Sequence, residues 1–232
     1  RSFVKFCNQE NHHVVIMDYC EESELGNNVK NYDMFLNVDI CSSESLINSL
    51  KKFTKEFKKI DCVINASYPK TKNYGKSFLD VNLNDFIENL SLHTGGYFNV
   101  MQKFGAFFVE QGYGNIINIA SIQGVMAPKF SHYSGTKMTS PIEYTASKSG
   151  IIAMTRYVAK SFKGKNIRIN CISPGGIRDK QPEKFIKNYK SSCLSKGMLD
   201  PDDLMGAIKF LISDESRYFN GQNLIVDDGW SL

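Results

Sequence analysis

Cysteine is sparse and unpatterned. The six cysteines, at 7, 20, 41, 62, 171 and 193, include no Cys-x-x-Cys pair and no metal-ligand spacing. No metal site is therefore expected, and free cysteines near strands behave as small core hydrophobes in a reduced, cytoplasmic setting. No apolar run approaches the ~20 residues of a membrane span, and no secretory leader is visible. One-sided charge is missing too: Lys plus Arg number 28 against 24 Asp plus Glu, a net charge of +4, with lysines scattered among acids. The densest run, Lys51, Lys52, Lys55, Lys58 and Lys59, has the spacing of a solvated helix face. Neither nucleic acid nor membrane is expected as a partner.

Helix and strand patterns alternate throughout the 232 residues. That argues for a single α/β domain over 1–232, a doubly wound parallel sheet with helices on both faces. Strands are expected at 13–17, 34–38, 62–65, 115–120, 167–172 and 223–226. Helices are expected over 1–10, 44–58, 84–111, 142–162, 182–192 and 201–213. In such sheets ligands sit beyond the carboxyl ends of the strands, where strand order reverses. Asp18, Asp39, Asn65, Ser121 and Pro174 all fall at such ends.

The run Tyr144-Thr-Ala-Ser-Lys148 places a phenol and an ammonium one helical turn apart, because residues i and i+4 share a helix face. A nearby cation favours the phenolate, so Tyr144 is expected to titrate below the reference value of about 10. That chemistry suits proton transfer during carbonyl–alcohol interconversion. Tyr133-Ser-Gly-Thr-Lys137 repeats the spacing, but Gly135 lies inside it and Pro141 follows, which disfavours helix before the proline. After Lys148 the chain is proline-free, with apolar Ile151, Ile152, Met154, Val158 and Ala159 at helical period. Tyr144 is therefore the expected acid/base, and Pro141 suits the first turn of its helix.

With Ser121 upstream and Pro174-Gly175-Gly176 downstream, this pattern resembles that of the short-chain dehydrogenases/reductases, over nearly the whole chain. The resemblance implies a Rossmann-like fold, NAD(P)-dependent hydride transfer and a homodimer or homotetramer built on helices 84–111 and 142–162. It implies that Ser121, Tyr144 and Lys148 are catalytic. His93, aligned on Gly96-Tyr97-Phe98, stands where the family carries the asparagine of a proton-relay tetrad; imidazole can also pass a proton. Asp18 is the expected ribose-binding carboxylate, which repels a 2′-phosphate and favours NAD over NADP. Asp39, the turn Asn65-Ala66-Ser67, Tyr144, Lys148 and the loop Pro174, Gly175, Gly176 and Ile177 complete the cofactor side. Ser67 replaces a glycine of the family pattern. Gln123, Lys184, Lys187 and Lys190 are the substrate-side candidates, the lysines sharing one helix face where a phosphate could bind.

The dinucleotide fingerprint of this fold, a glycine-rich turn cradling pyrophosphate on a helix N-terminus, does not occur in the sequence from Arg1 onward. The first residue is Arg1, and the first methionine is Met17, inside a strand-like run. The expectation is that roughly 20 residues with the first strand and that turn precede Arg1. Without them the chain is expected to bind NAD poorly, and backbone groups on two buried strands would go unpaired at about 1–3 kcal/mol each.

Several stretches are similar to a flagellin-modifying branch of the family: 66–70, 125–141, 181–183, 196–201 and 226–232. The branch also appears with histidine at the tetrad position. It implies a sugar alcohol or ketone as substrate, phosphate- or nucleotide-linked, in making nonulosonic sugars of the legionaminic type. Two alternatives stay open: a non-catalytic assembly partner of the same fold, and a fatty-acyl or polyol reductase with identical machinery. If His93 serves the relay, His93→Ala slows turnover while the protein stays folded. Loss of folding with no separate kinetic defect, read by circular dichroism beside steady-state rates, would reject that role.

Overall fold

Period-two alternation along the strands makes the sheet two-faced. The structure, a computed structural model, describes residues 2–25 and 29–232. Its strands are β1 (Val15–Asp18), β2 (Met34–Asn37), β3 (Val63–Asn65), β4 (Gly114–Ile119), β5 (Ile167–Pro174) and β6 (Asn223–Val226). Its α-helices are α1 (Ser2–Gln9), α2 (Ser43–Glu56), α3 (Leu83–Gln111), α4 (Ile142–Ser161), α5 (Glu183–Lys190) and α6 (Met205–Ile212). Ile116 and Ile169 point to one face, into a core with Leu46 and Phe53 of α2 and Val100, Met101, Phe104 and Phe108 of α3. Their neighbours Ile117 and Ile172 point to the other, where Ile208 and Leu211 of α6 meet Phe3 and Phe6 of α1. This is the expected Rossmann-like layering, a parallel sheet between two helical layers.

All strand pairs are parallel, in two hydrogen-bonded groups, β1–β2 and β3–β4–β5–β6. Register fixes which residues share an edge. Asp18 pairs with Asn37, Asn65 with Asn118, Ile119 with Ile172 and Pro174 with Val226. β5 and β6 run two residues beyond the end of β4, so Asn65, Ser121 and Pro174 come to the same edge of the sheet at the carboxyl ends of neighbouring strands.

Local chemistry sets the helix ends. The Asn82 side chain accepts the Asp85 N–H at 2.9 Å and opens α3, satisfying one of the orphan amides of a first turn. Gly112, at φ +90°, closes that helix in the left-handed region, where a Cβ would be strained. Pro141 precedes α4 as its capping residue rather than lying in the first turn. The span 201–213 divides into a 3-10 turn, Pro201–Leu204, and α6, because Asp200 and Asp203 cap each other's backbone there. Among the described residues no helix is long and apolar enough to cross a membrane, and no group of three or more His, Cys, Asp or Glu could hold a metal.

Candidate active site

Two segments meet closely at the strand ends. Ser121 leaves β4 and opens a 3-10 turn over Ile122–Gly124, its hydroxyl accepting the Gln123 N–H at 3.2 Å. The turn rests on the backbone of α4: a Cβ on Gly124 would lie 2.7 Å from the carbonyl carbon of Lys148 and 2.9 Å from the Ser149 nitrogen. The Ser149 hydroxyl donates to the Gly124 carbonyl at 3.0 Å. Tyr144 and Lys148 sit one turn apart on this same helix, so the Gly124 contact holds Ser121 against them. No helix spans 133–137; Tyr133 ends a 3-10 turn, and Gly135 takes φ +70°.

Burial governs the charges here. Lys148 is only 4% exposed, and no carboxylate faces it. Its ammonium donates to the Ile119 carbonyl at 2.8 Å and stands 5.2, 5.7 and 5.8 Å from the ring centroids of Tyr97, Tyr144 and Tyr68. Desolvation pulls its pKa down to about 7, since burial disfavours the charged form. The Tyr144 phenol is pushed up to about 12 by burial, with the Ser121 hydroxyl acting the other way. The expectation that Lys148 would hold Tyr144 below its ordinary value is therefore corrected. Burial of the phenol is the largest influence on it, and among the described residues the one hydrogen bond of the ammonium goes to the Ile119 carbonyl rather than to Tyr144.

His93 is fully buried, and neither ring nitrogen has a hydrogen-bond partner. Its ring meets Tyr68 edge-on at 5.2 Å and Tyr97 at 5.6 Å. Burial, then the Lys148 cation, lowers its pKa to about 3. At neutral pH it is a neutral imidazole, which can pass a proton only by accepting at one nitrogen while donating from the other.

On the cofactor side, Asp18 is exposed at the end of β1 and its Oδ1 accepts the Cys20 N–H at 3.2 Å. Asp39 makes the same turn contact with Cys41 at 2.8 Å, two residues past the end of β2. Asn65 is buried at the end of β3 with its Nδ2 unpartnered. Ala66 is exposed, and Ser67 offers its N–H to Asn65 Oδ1 at 3.5 Å. Tyr97 fixes this turn: its hydroxyl lies 3.0, 3.2 and 3.1 Å from the carbonyls of Asn65, Ser67 and Ile119. In the loop after Pro174, Gly175 donates to the Val226 carbonyl at 2.8 Å and Gly176 to the Tyr189 hydroxyl at 2.6 Å. A Cβ on Gly175 would lie 3.0 Å from Asp227 Cα. The Ile177 carbonyl accepts from Gln181 at 3.0 Å.

On the substrate side, the Gln123 amide donates to the Tyr133 hydroxyl at 3.1 Å and accepts from Ser140 at 2.8 Å. Lys184, Lys187 and Lys190 are exposed on α5; Lys184 lies against the Gly135 backbone and Lys190 against Gly197. The buried face of α5, Phe185 and Tyr189, packs with Ile122, Met198 and Trp230, flanked by Tyr133 and Met138. Tyr189 stacks on Trp230 at 5.8 Å, and Lys129 donates to the Trp230 carbonyl at 2.9 Å. The stretches 125–141, 196–201 and 226–232, far apart in sequence, thus converge on α5 beside the cleft.

A family model described as enoyl-(acyl carrier protein) reductase matches residues 1–231. The chain is 43% identical over 212 residues to the post-translational flagellin modification protein A of Campylobacter coli, covering 91% of this chain and 83% of that protein. A short chain dehydrogenase from Leptospira borgpetersenii, solved with bound NAD+, matches at TM-score 0.87 and 30% identity, over 99% of this chain and 87% of that one. A 4-hydroxyisoleucine dehydrogenase complexed with NADH matches at TM-score 0.80 and 27% identity, over 99% of this chain and 92% of that one. The chain belongs to the short-chain dehydrogenase/reductase family.

This short-chain dehydrogenase/reductase is an oxidoreductase, and three residues that the sequence reading passed over shape its cleft: Tyr68, Tyr97 and Gly124. Tyr68 directly follows the Asn65-Ala66-Ser67 turn, and Tyr97 lies one helical turn after His93; both were visible as neighbours of predicted site residues. Gly124 carried no signal, since its contact is made across the fold. Gly124→Ala should separate Ser121 from α4 by a few tenths of an ångström or more. The expected loss in kcat is roughly tenfold to a hundredfold, with the melting temperature changed far less; an unchanged kcat would show that the contact is irrelevant to catalysis.

Proposed function

We propose that this enzyme transfers a hydride between NAD and a sugar-type alcohol or ketone, phosphate- or nucleotide-linked, during synthesis of a nonulosonic sugar of the legionaminic type for flagellin. The observation that carries the reading is the 43% identity to a flagellin modification protein. It is supported by the convergence of 125–141, 196–201 and 226–232 on α5, since loops that border a cleft are where substrate choice is set.

The chain's own residues fit NAD. Lys148 uses one of its three N–H donors on Ile119, leaving donors for ribose hydroxyls. The unpartnered Asn65 Nδ2 is a buried donor at the strand edge, a group that is costly without an acceptor. Asp18 offers carboxylate oxygen to the adenosine ribose, and a negative charge there disfavours a 2′-phosphate. Asp39, Ala66, Ser67 and the Pro174–Ile177 loop complete that side, and Gln123, Lys184, Lys187 and Lys190 face the substrate. Bound NAD supplies or accepts the hydride.

Tyr144 rests as a phenol, so in the reductive direction it gives its proton to the substrate oxygen as that oxygen gains negative charge. In the oxidative direction it must first ionise. Hydrogen bonding from Ser121 favours this, and so would Lys148 once hydroxyl acceptors stabilise its charged form. Ser121 steadies the same oxygen, and neutral His93, which has no direct partner among the described residues, completes the relay through a water chain.

Exposed Leu83, Ile87, Phe98 and Tyr157 give helices α3 and α4 an apolar outer face. We read it as the surface on which a second copy packs, giving a homodimer or homotetramer. A single catalytic domain over 1–232 and a cytoplasmic location, which suits six free thiols, complete the proposal. Turnover of NAD(H) with a panel of phosphorylated and nucleotide-linked sugars tests it. Activity on at least one nucleotide- or phosphate-linked sugar, well above that on fatty-acyl thioesters, is the expected result; a preference for the thioesters would overturn the substrate assignment.

A further inference from the structure

Tyr68 occupies an unusual place for a surface residue. It lies on the loop after β3, 43% exposed, yet its ring touches the centre of the cleft. It meets Tyr144 edge-on at 5.7 Å with an interplanar angle of 89° and His93 at 5.2 Å and 75°. It meets Tyr74 at 6.1 Å and 87°, and the two hydroxyls share a hydrogen bond of 2.6 Å. The Lys70 ammonium stands 5.1 Å from the Tyr68 centroid. Tyr74 is itself held away from ionisation by burial, then by its bond to Tyr68, so the pair is neutral throughout the working range. A large aromatic plate is thus held at its hydroxyl end by Tyr74 while part of it stays exposed, next to the phenol that handles the proton.

We propose that Tyr68 is a specificity-determining residue, a rigid aromatic wall that selects substrates presenting the carbon face of a six-membered ring, with Tyr74 as the positioning residue that aims it. The physical basis is geometric. A ring's C–H face is flat and apolar and matches an aromatic plate, whereas a linear polyol must freeze several torsions to offer the same surface. Fixing the plate beforehand removes an ordering cost from binding. The hydroxyl bridge to Tyr74 supplies that fixing, and Lys70, over the ring at 5.1 Å, sets a positive charge beside the plate that suits a substrate carrying an anionic substituent. This deepens the sugar reading above and rests on it for the identity of the ring.

The test compares cyclic with linear polyols on the full-length enzyme loaded with NAD. UDP-N-acetylglucosamine, glucose 6-phosphate and myo-inositol are the cyclic probes, and D-threitol is the linear one. Dissociation constants are measured for all four, and kcat/KM for any that turn over. Tyr68→Ala should lower the cyclic-to-linear affinity ratio, read from the dissociation constants, three- to tenfold; because the ring also borders Lys148 and Tyr144, any fall in kcat is shared by cyclic and linear probes. Tyr74→Phe, which removes only the hydroxyl bridge, should move the ratio the same way by a smaller factor with the melting temperature nearly unchanged. Tyr68→Phe separates the plate from its hydroxyl and should match Tyr74→Phe. If Tyr68→Ala does not fold, Tyr68→Leu takes its place. An unchanged ratio, an equal loss on all probes, or no binding of any cyclic probe overturns the wall. A wild-type preference for D-threitol over the cyclic probes instead contradicts the sugar reading, and the response of the ratio to Tyr68→Ala still decides the wall.

Discussion

The site depends on one uncompensated burial: an ammonium placed among aromatic rings, on a backbone carbonyl, with no carboxylate in reach. Lys148 keeps its donor on Ile119 at 2.8 Å and three tyrosine rings within 6 Å. Rings attract a cation, but less than water solvates it, so the charged form is held to a pKa of about 7. The same desolvation keeps Tyr144 protonated and His93 neutral. Burial is thus the largest influence on each of these groups, and hydrogen-bonding ligands entering the cleft would change all three together.

That environment is built by a few contacts made across the fold. Tyr97 ties the Asn65–Ser67 turn to the end of β4 with one hydroxyl among three carbonyls. Gly124 lets the Ser121 turn lie directly on α4. On the far wall, Trp230, Tyr189 and Phe185 clamp α5, and the Asp228 carboxylate receives the Ser195 and Gly197 amides at 3.1 and 2.7 Å. The Asp227 carboxylate accepts from Gly229 and Ser231 at 3.0 and 2.8 Å. The chain's last residues are thus part of the cleft wall, joined to the 125–141 segment through Lys129 and His132.

Most of the layout was legible in local patterns. The strand at 115–120 and the helix at 142–162 were readable because period two and period 3.6 are written in neighbouring residues, and they carry Ser121, Tyr144 and Lys148 to one edge. That Lys148 and not Lys137 is carried on a helix was legible because Gly135 and Pro141 break helix locally. What could not be read depends on distance in space. Whether Lys148 lowers the Tyr144 pKa turns on how completely both are desolvated, and no spacing encodes that. Tyr68 reads as an ordinary loop residue until the edge-on contact with Tyr144 appears, and Gly124 as an ordinary turn glycine until α4 lies against it.

The claim that burial rather than pairing sets the chemistry is tested most directly by titrating Lys148 itself. Nitrogen-15 NMR of the Nζ, assigned with a Lys148→Met control, reads its protonation in the cofactor-free protein. The account predicts a midpoint near pH 7. A midpoint near the ordinary lysine value of about 10.4 would contradict it, because it would mean that the ammonium is as well solvated in the cleft as in water.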